Sequence, residues 1–314
     1  MELLPKSLKA PIYFILWYGL NIGYNIYNKK VMNAYPLPLT MATIQLGAGL
    51  LWILPVWLLG FRPMPVLTTS SFKALAPIAF FHTVGHTMTV VSLGAGAVSF
   101  THIVKAAEPF FSTIIQAIMG NVAPMTVNLC LIPVVGGVAI ASMKELSFTW
   151  TSFGGAMGSN LSFALRGIFS KKAMSAPVGE NMGPANLFAV LTIMSFTAML
   201  PVCIYFEGSN MSPSLSAAYD HYGSSDKFLT EVLFAGLFYY LYNEVAYLAL
   251  GAVDSPTTHA VGNTLKRVVV MVASAVYFKD KMTGQAMGGC AIAIGGVMMY
   301  SLASSKAKRK VKKV

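Results

Sequence analysis

Charge is scarce in this sequence, and acid is scarcest. Only 11% of its 314 residues are Asp, Glu, Lys or Arg, against the roughly 25% of a soluble domain, and 22 bases outnumber 11 acids. With 55% hydrophobic residues, that excludes an ordinary soluble domain and points to a chain that crosses a membrane many times. Cysteine is nearly missing as well. Cys130, Cys203 and Cys290 all fall in apolar stretches without metal-ligand spacing, so buried thiols are expected rather than a disulfide framework or a metal site. There is no Gly-rich loop ending in Lys-Ser/Thr, no His-Glu-x-x-His, no nucleophile elbow and no paired carboxylates. A membrane phosphotransferase or other enzyme is therefore disfavoured, and no cofactor or metal is expected. Basic residues do not alternate with stacking aromatics on a polar surface, which argues against nucleic acid as a partner.

What the chain does have is apolar length. Ten runs are long enough to span a bilayer: residues 10–30, 38–60, 72–93, 97–119, 124–143, 151–171, 185–206, 228–250, 256–278 and 283–304. The expected fold is an all-α membrane protein with ten transmembrane helices. Most links are short. Two are longer, 173–184 and 207–227, and the second is polar enough to be expected as a surface loop. Residues 305–314 read as a basic tail with no apolar content to fold, solvated or touching anionic membrane lipid. Ten crossings put both termini on one side. Twelve Lys and Arg fall on that side and six on the other, so the termini are expected on the cytosolic side or its topological equivalent.

The chain also repeats. Leu93–Val104 matches Leu250–Val261 at six of twelve positions, at an offset of 157 residues, half the length. Five runs per half is an odd number, so the halves (1–145 and 146–304) would enter the membrane from opposite faces. That is an inverted repeat, which places a substrate site near the midplane between the halves.

Four cations remain inside the runs: Lys105, Arg166, Lys266 and Arg267. If a helix begins near Pro256, Lys266 lies about 15 Å along it, close to the midplane. A charge there costs roughly 2.5–3.5 kcal/mol to insert, so it marks a functional group facing protein or water. Because the groups are cations the expected guest is an anion, and phosphate suits a bidentate Arg with two Lys. Two duller readings stand beside this one. Glu108, three residues after Lys105, could simply neutralise it, and Arg166 could snorkel to the boundary marked by Lys171 and Lys172. His86 and Thr89 share one helical face, as do Tyr239 and Tyr242; the repeat sets both pairs beside the cationic runs. His82, His102 and His259 are expected to tie helices together, and Asn21, Asn25 and Asn28 to face protein. Gly154-x-x-x-Gly158 permits close helix packing, within the chain or in a homodimer.

Several stretches resemble the plastidic phosphate translocators of the drug/metabolite transporter superfamily. They are Tyr24–Val31, Val98–Phe111, Glu145–Trp150, Arg166 with Ser170–Met174, Leu241–Asn243 and Thr258–Arg267. The resemblance runs in order from the first apolar run to the ninth. It implies ten helices in a five-plus-five inverted repeat, alternating access, and counter-exchange of organic phosphates for inorganic phosphate across the inner envelope of a plastid, with both termini in the stroma. His86 after Gly85, Thr258–Asn263 and Leu241–Asn243 are most similar to the members that exchange triose phosphate or 3-phosphoglycerate for phosphate. Siblings carry phosphoenolpyruvate, pentose phosphate or hexose phosphate, and nucleotide-sugar carriers share the fold. By the same resemblance Lys105, Lys266 and Arg267 would hold phosphate. His86, Thr89, Arg166 and Tyr239 or Tyr242 would meet the organic end. Asp254, Ser255 and Glu244 depart from the plant pattern. No transit peptide precedes the first run, as expected of a mature or trimmed chain.

Overall fold

The computed structural model describes residues 6–143, 145–173, 178–252, 256–280 and 282–311. The described residues contain thirteen α-helices and no strand, only an isolated bridge between Val66 and Glu180. In order the helices are α1 (Lys6–Ala34), α2 (Pro38–Ala48), α3 (Leu50–Leu58), α4 (Thr69–Ala95), α5 (Val98–Lys105), α6 (Glu108–Ile118), α7 (Met125–Leu129), α8 (Leu131–Met143), α9 (Trp150–Ala173), α10 (Pro184–Tyr222), α11 (Ser225–Ala252), α12 (Pro256–Phe278) and α13 (Gly284–Val311). Each apolar run is covered by one helix or by two consecutive ones. Among the described residues, six segments are long and apolar enough to cross a membrane: 38–58, 69–95, 125–143, 184–222, 225–252 and 284–307.

The joints between paired helices have local causes. Gly49 keeps helical angles (φ −58°, ψ −32°), so α2 and α3 follow one another almost without interruption. The joint between α5 and α6 is a true break. Pro109 has no N–H to give the Lys105 carbonyl and its ring would collide there, so the helix closes early. Ala106 N–H donates to the Ile103 carbonyl and Ala107 N–H to that of Val104, both three residues back, and α6 restarts at Glu108.

The most extensive packing pairs α4 with α9, α1 with α11, α8 with α13 and α2 with α10; α5 also packs against α12. Numbered by the apolar runs, these are pairs 3–6, 8–1, 5–10, 2–7 and 4–9. Exchanging run n with run n+5 leaves the set unchanged. α8 and α13 meet backbone to backbone: a methyl on Gly137 would fall 2.4 Å from the Ala293 nitrogen, and one on Gly289 2.5 Å from that of Ala141. Such small-residue contacts let helices associate where hydrophobic burial gives no advantage. Within the Gly154-x-x-x-Gly158 motif, Gly154 has open space, while Gly155 and Gly158 lie against Met88 of α4.

Two expectations are corrected. Residues 207–222 are not a loop but the continuation of α10, which turns only at Gly223 (φ +65°). Glu207 is buried, and its carboxylate accepts from the backbone N–H groups of Leu39 and Thr40 at 3.0 and 2.7 Å and from the Thr40 hydroxyl at 2.7 Å. It thereby satisfies free donors at the start of α2, whose own preceding residue, Leu37, offers no side-chain cap. Beyond it, Met211, Leu215, Ala218, Tyr219 and Tyr222 recur at helical spacing and pack with Tyr35 and Phe228. The tail is the second correction: α13 continues to Val311, because Ala, Lys and Arg are good helix formers and no breaker intervenes.

Candidate anion-binding site

Five helices, α4, α5, α9, α11 and α12, bring the sequence-derived residues to one largely buried region. On α4, His82, His86 and Thr89 share a stripe; the first two are buried. Lys105, at the last turn of α5, is 8% exposed. Its ammonium donates to the Thr89 hydroxyl at 2.9 Å and to that of Ser159 on α9 at 2.5 Å, and lies 4.7 Å above the Phe163 ring. An ammonium has three N–H donors, so one stays unassigned by these two bonds. Asn160, next on α9, donates to the Val104 carbonyl at 2.9 Å and steadies the broken end of α5.

Glu108 does not neutralise Lys105. The break turns it away, and it accepts from Arg267 Nη2 of α12 at 2.6 Å. Lys266, the neighbour of Arg267, sits 4.8 Å over the Trp17 ring of α1 and 5.9 Å from that of Tyr242. Aromatic faces attract a cation without neutralising it. Among the described residues neither Lys105 nor Lys266 forms an ion pair. Lys105 lies within electrostatic reach of Arg267, Glu108, Lys266 and Arg166. Lys105, Lys266 and Arg267 with Glu108 carry a net charge of +2, and Arg166 is a fourth cation within the same electrostatic reach.

Beside them stands a second polar group. Arg166 does not snorkel. Its Nη1 reaches His82 Nδ1 at 2.8 Å, and its guanidinium lies 4.7 Å from the Phe163 ring, so Phe163 touches both Lys105 and Arg166. His82 Nε2 meets the Tyr239 hydroxyl at 3.1 Å. Tyr239 stacks on His86 with centroids 3.9 Å apart and stands edge-on to Tyr242 at 5.8 Å. The His86 ring faces the Ala42 backbone, and its buried Nε2 has no hydrogen-bond partner among the described residues. A ring nitrogen facing a carbonyl carries the hydrogen, so Nε2 keeps its lone pair and is an acceptor.

His82 ties α4 to α9 and α11, and His102 ties α5 to Asn25 of α1 at 3.0 Å. The side chains of His259, Lys171 and Lys172, together with Asp254 and Ser255, lie outside the described residues. Asn21, Asn25 and Asn28 are buried, as expected. Ser159, Phe163 and Trp17 were not singled out from the sequence as neighbours of the cations. A signal was present for the first: Ser152, Ser159 and Arg166 recur every seven residues along one face of α9.

Residues 8–301 match the model of the Triose-phosphate Transporter family. A xylulose 5-phosphate/phosphate translocator of Arabidopsis thaliana is 40% identical over 304 residues, covering 97% of this chain and 72% of that protein. A glucose-6-phosphate/phosphate translocator of the same plant is 42% identical over 95% of this chain and 76% of its own. A triose phosphate/phosphate translocator of Flaveria pringlei is also 42% identical, over 95% and 72%. All three are described as chloroplastic. These relatives share phosphate and differ in the organic partner, and this chain belongs to the Triose-phosphate Transporter family.

Proposed function

We propose that this protein is an antiporter that exchanges inorganic phosphate for an organic phosphate across a plastid inner envelope, by alternating access, with both termini in the stroma. The observation that carries the reading is the group formed by buried Lys105 with partly buried Lys266, Arg267 and Glu108. Its net charge of +2 is the complement of a phosphate or phosphate-monoester dianion. Arg267 uses one N–H on Glu108 and has four more for a bidentate grip on phosphate oxygens. Ten crossings arranged as five plus five fit the way the helix pairs map onto themselves when run n is exchanged with run n+5.

For the organic end we infer triose phosphate or 3-phosphoglycerate. Thr89 already binds Lys105, so it belongs to the phosphate pole rather than to the far end. His86, Arg166, Tyr239 and Tyr242 form the other pole. The free acceptor of His86 Nε2 suits a substrate hydroxyl, which the enol ester phosphoenolpyruvate lacks. A site built to bond a hydroxyl strongly rejects the analogue without one.

Liposomes preloaded with phosphate and offered labelled triose phosphate, 3-phosphoglycerate, phosphoenolpyruvate, pentose phosphate, hexose phosphate or a nucleotide sugar test both levels. Uptake of the C3 hydroxylated substrates is expected to lead and to require internal phosphate. Lys105→Ala, Lys266→Ala and Arg267→Ala should each abolish it in protein that still folds. Near-normal uptake by the Lys266 or Arg267 variant overturns the phosphate assignment.

A further inference from the structure

We propose that His82 is a positioning residue whose tautomer fixes which hydrogen bonds the organic pole offers to a substrate. The proposal rests on the exchange reading above, and it concerns a residue outside the groups assigned to touch substrate.

The argument is an inventory of hydrogens. A guanidinium has only donors, so the 2.8 Å contact from Arg166 Nη1 requires a lone pair on His82 Nδ1. The imidazole then carries its hydrogen on Nε2. An imidazolium is excluded, since it would point an N–H at an arginine. Nε2–H must therefore donate to the Tyr239 hydroxyl oxygen at 3.1 Å. Having accepted there, the phenol has its own hydrogen to give elsewhere. Tyr239 is 1% exposed and stacked against His86, so that hydrogen is directed within the buried region and not lost to bulk water.

His82 thus performs two tasks with one ring. It accepts one hydrogen from Arg166, leaving four guanidinium hydrogens for other partners, and its own Nε2–H requires Tyr239 to donate elsewhere. Arg166 and Tyr239 then present donors, beside the acceptor of His86 Nε2. That pattern selects an organic end with a carboxylate or carbonyl oxygen next to a hydroxyl. The plain alternative is that His82 only fills space: its ring packs edge-on against Phe188, centroids 5.7 Å apart.

Three variants separate the two. In His82→Phe the ring packing is kept and both hydrogen bonds are lost. In His82→Asn a carbonyl stands near the Nδ1 position and accepts from Arg166, but nothing reaches Tyr239. In His82→Gln the amide nitrogen reaches towards Tyr239 and the Arg166 anchor is weakened. Uptake of labelled 3-phosphoglycerate and of labelled phosphate is measured on the same phosphate-loaded liposomes, so the ratio does not depend on how much protein is folded. The ratio should fall about tenfold in the Phe variant, the size expected for losing hydrogen bonds to a charged group. It should recover in part in Asn and in Gln, and the loss should appear as a raised KM for 3-phosphoglycerate. A ratio within about twofold of wild type in the Phe variant, or an equal fall for both substrates in all three, overturns the proposal. Wild-type liposomes that fail to exchange phosphate for phosphate would overturn the exchange reading itself, whatever the variants do.

Discussion

Glu108 is the residue whose removal tests the charge balance most directly. Glu108→Gln keeps the shape and one acceptor for Arg267 but raises the net charge of the group from +2 to +3. A buried pair that loses one partner costs about 3–5 kcal/mol. Here the Glu108 side chain is 28% exposed and that of Arg267 11%, so solvent takes part of the charge and about 1–3 kcal/mol is expected. The unliganded variant should therefore unfold at lower temperature than the wild type. Phosphate reverses the order of the argument: a dianion meets three cations in place of two, and it no longer competes with a carboxylate for Arg267. Its affinity should rise by roughly the factor that 1–3 kcal/mol represents, about 5- to 150-fold. Exchange should slow, because a more tightly held anion leaves more slowly.

The assay is thermal unfolding of the purified protein across a phosphate titration, beside phosphate–phosphate exchange in liposomes. Phosphate should stabilise the variant more than the wild type, and partly close the gap opened without ligand. An unliganded variant as stable as wild type would mean that Glu108 balances no buried charge. Weaker phosphate binding would mean that Glu108 is needed to aim Arg267, and the +2 argument would fail.

Glu207→Ala should destabilise the protein by about 2–4 kcal/mol, since it strips three bonds from the start of α2. Glu207→Gln should fall between, and an unchanged unfolding temperature would show that water replaces the carboxylate. Asp280 lies in the link after α12, and its carboxyl is held above the usual range by burial and then by the nearby charge of Glu145, against the Ser99 hydrogen bond and Lys29. An acid raised in this way contributes stability at pH values below its unfolded pKa and loses it as pH rises through the folded one. Asp280→Asn should therefore raise the unfolding temperature at pH 8 and change it little at pH 4; the opposite pH trend would refute this.

Much of the fold was legible because bilayer-length apolar runs are the strongest signal a sequence carries. Every one of the ten runs is helical, and the cations at 105, 166, 266 and 267 meet in one region. What was missed had a different cause in each place. Residues 207–222 look like a loop because Gly, Asn, Ser and Pro crowd them, yet Glu207, Met211, Leu215, Ala218 and Tyr222 keep a helical stripe. Composition and periodicity disagreed there, and tertiary packing favoured periodicity. The duller reading, Glu108 paired with Lys105, assumes an unbroken helix, and Pro109 breaks it. The seven-residue spacing put Ser159 on the face of Arg166, but its bond to Lys105 depends on the neighbour that another helix brings.

The break at Pro109 also bears on how a symmetric scaffold holds an unsymmetric substrate. Extended without gaps, the match between 93–104 and 250–261 sets Lys105 opposite Gly262, and Lys266 and Arg267 opposite Pro109 and Phe110. The helix pairs respect the exchange of halves, but the cations do not. In the first half a proline ends α5 just after its lysine, and frees Glu108 to cross to α12. In the second, α12 runs on unbroken and carries two adjacent cations on different faces, one over Trp17 and one on Glu108. A strictly two-fold site would offer equal charge to both ends of its guest. In this chain Lys105, Lys266 and Arg267 lie together, with Arg166, His86 and two tyrosines beside them, a division that would suit the proposed substrate with phosphate at one end and oxygens at the other. The packing is thus symmetric where the cations are not, and the departures concentrate at 105–110 and 262–267.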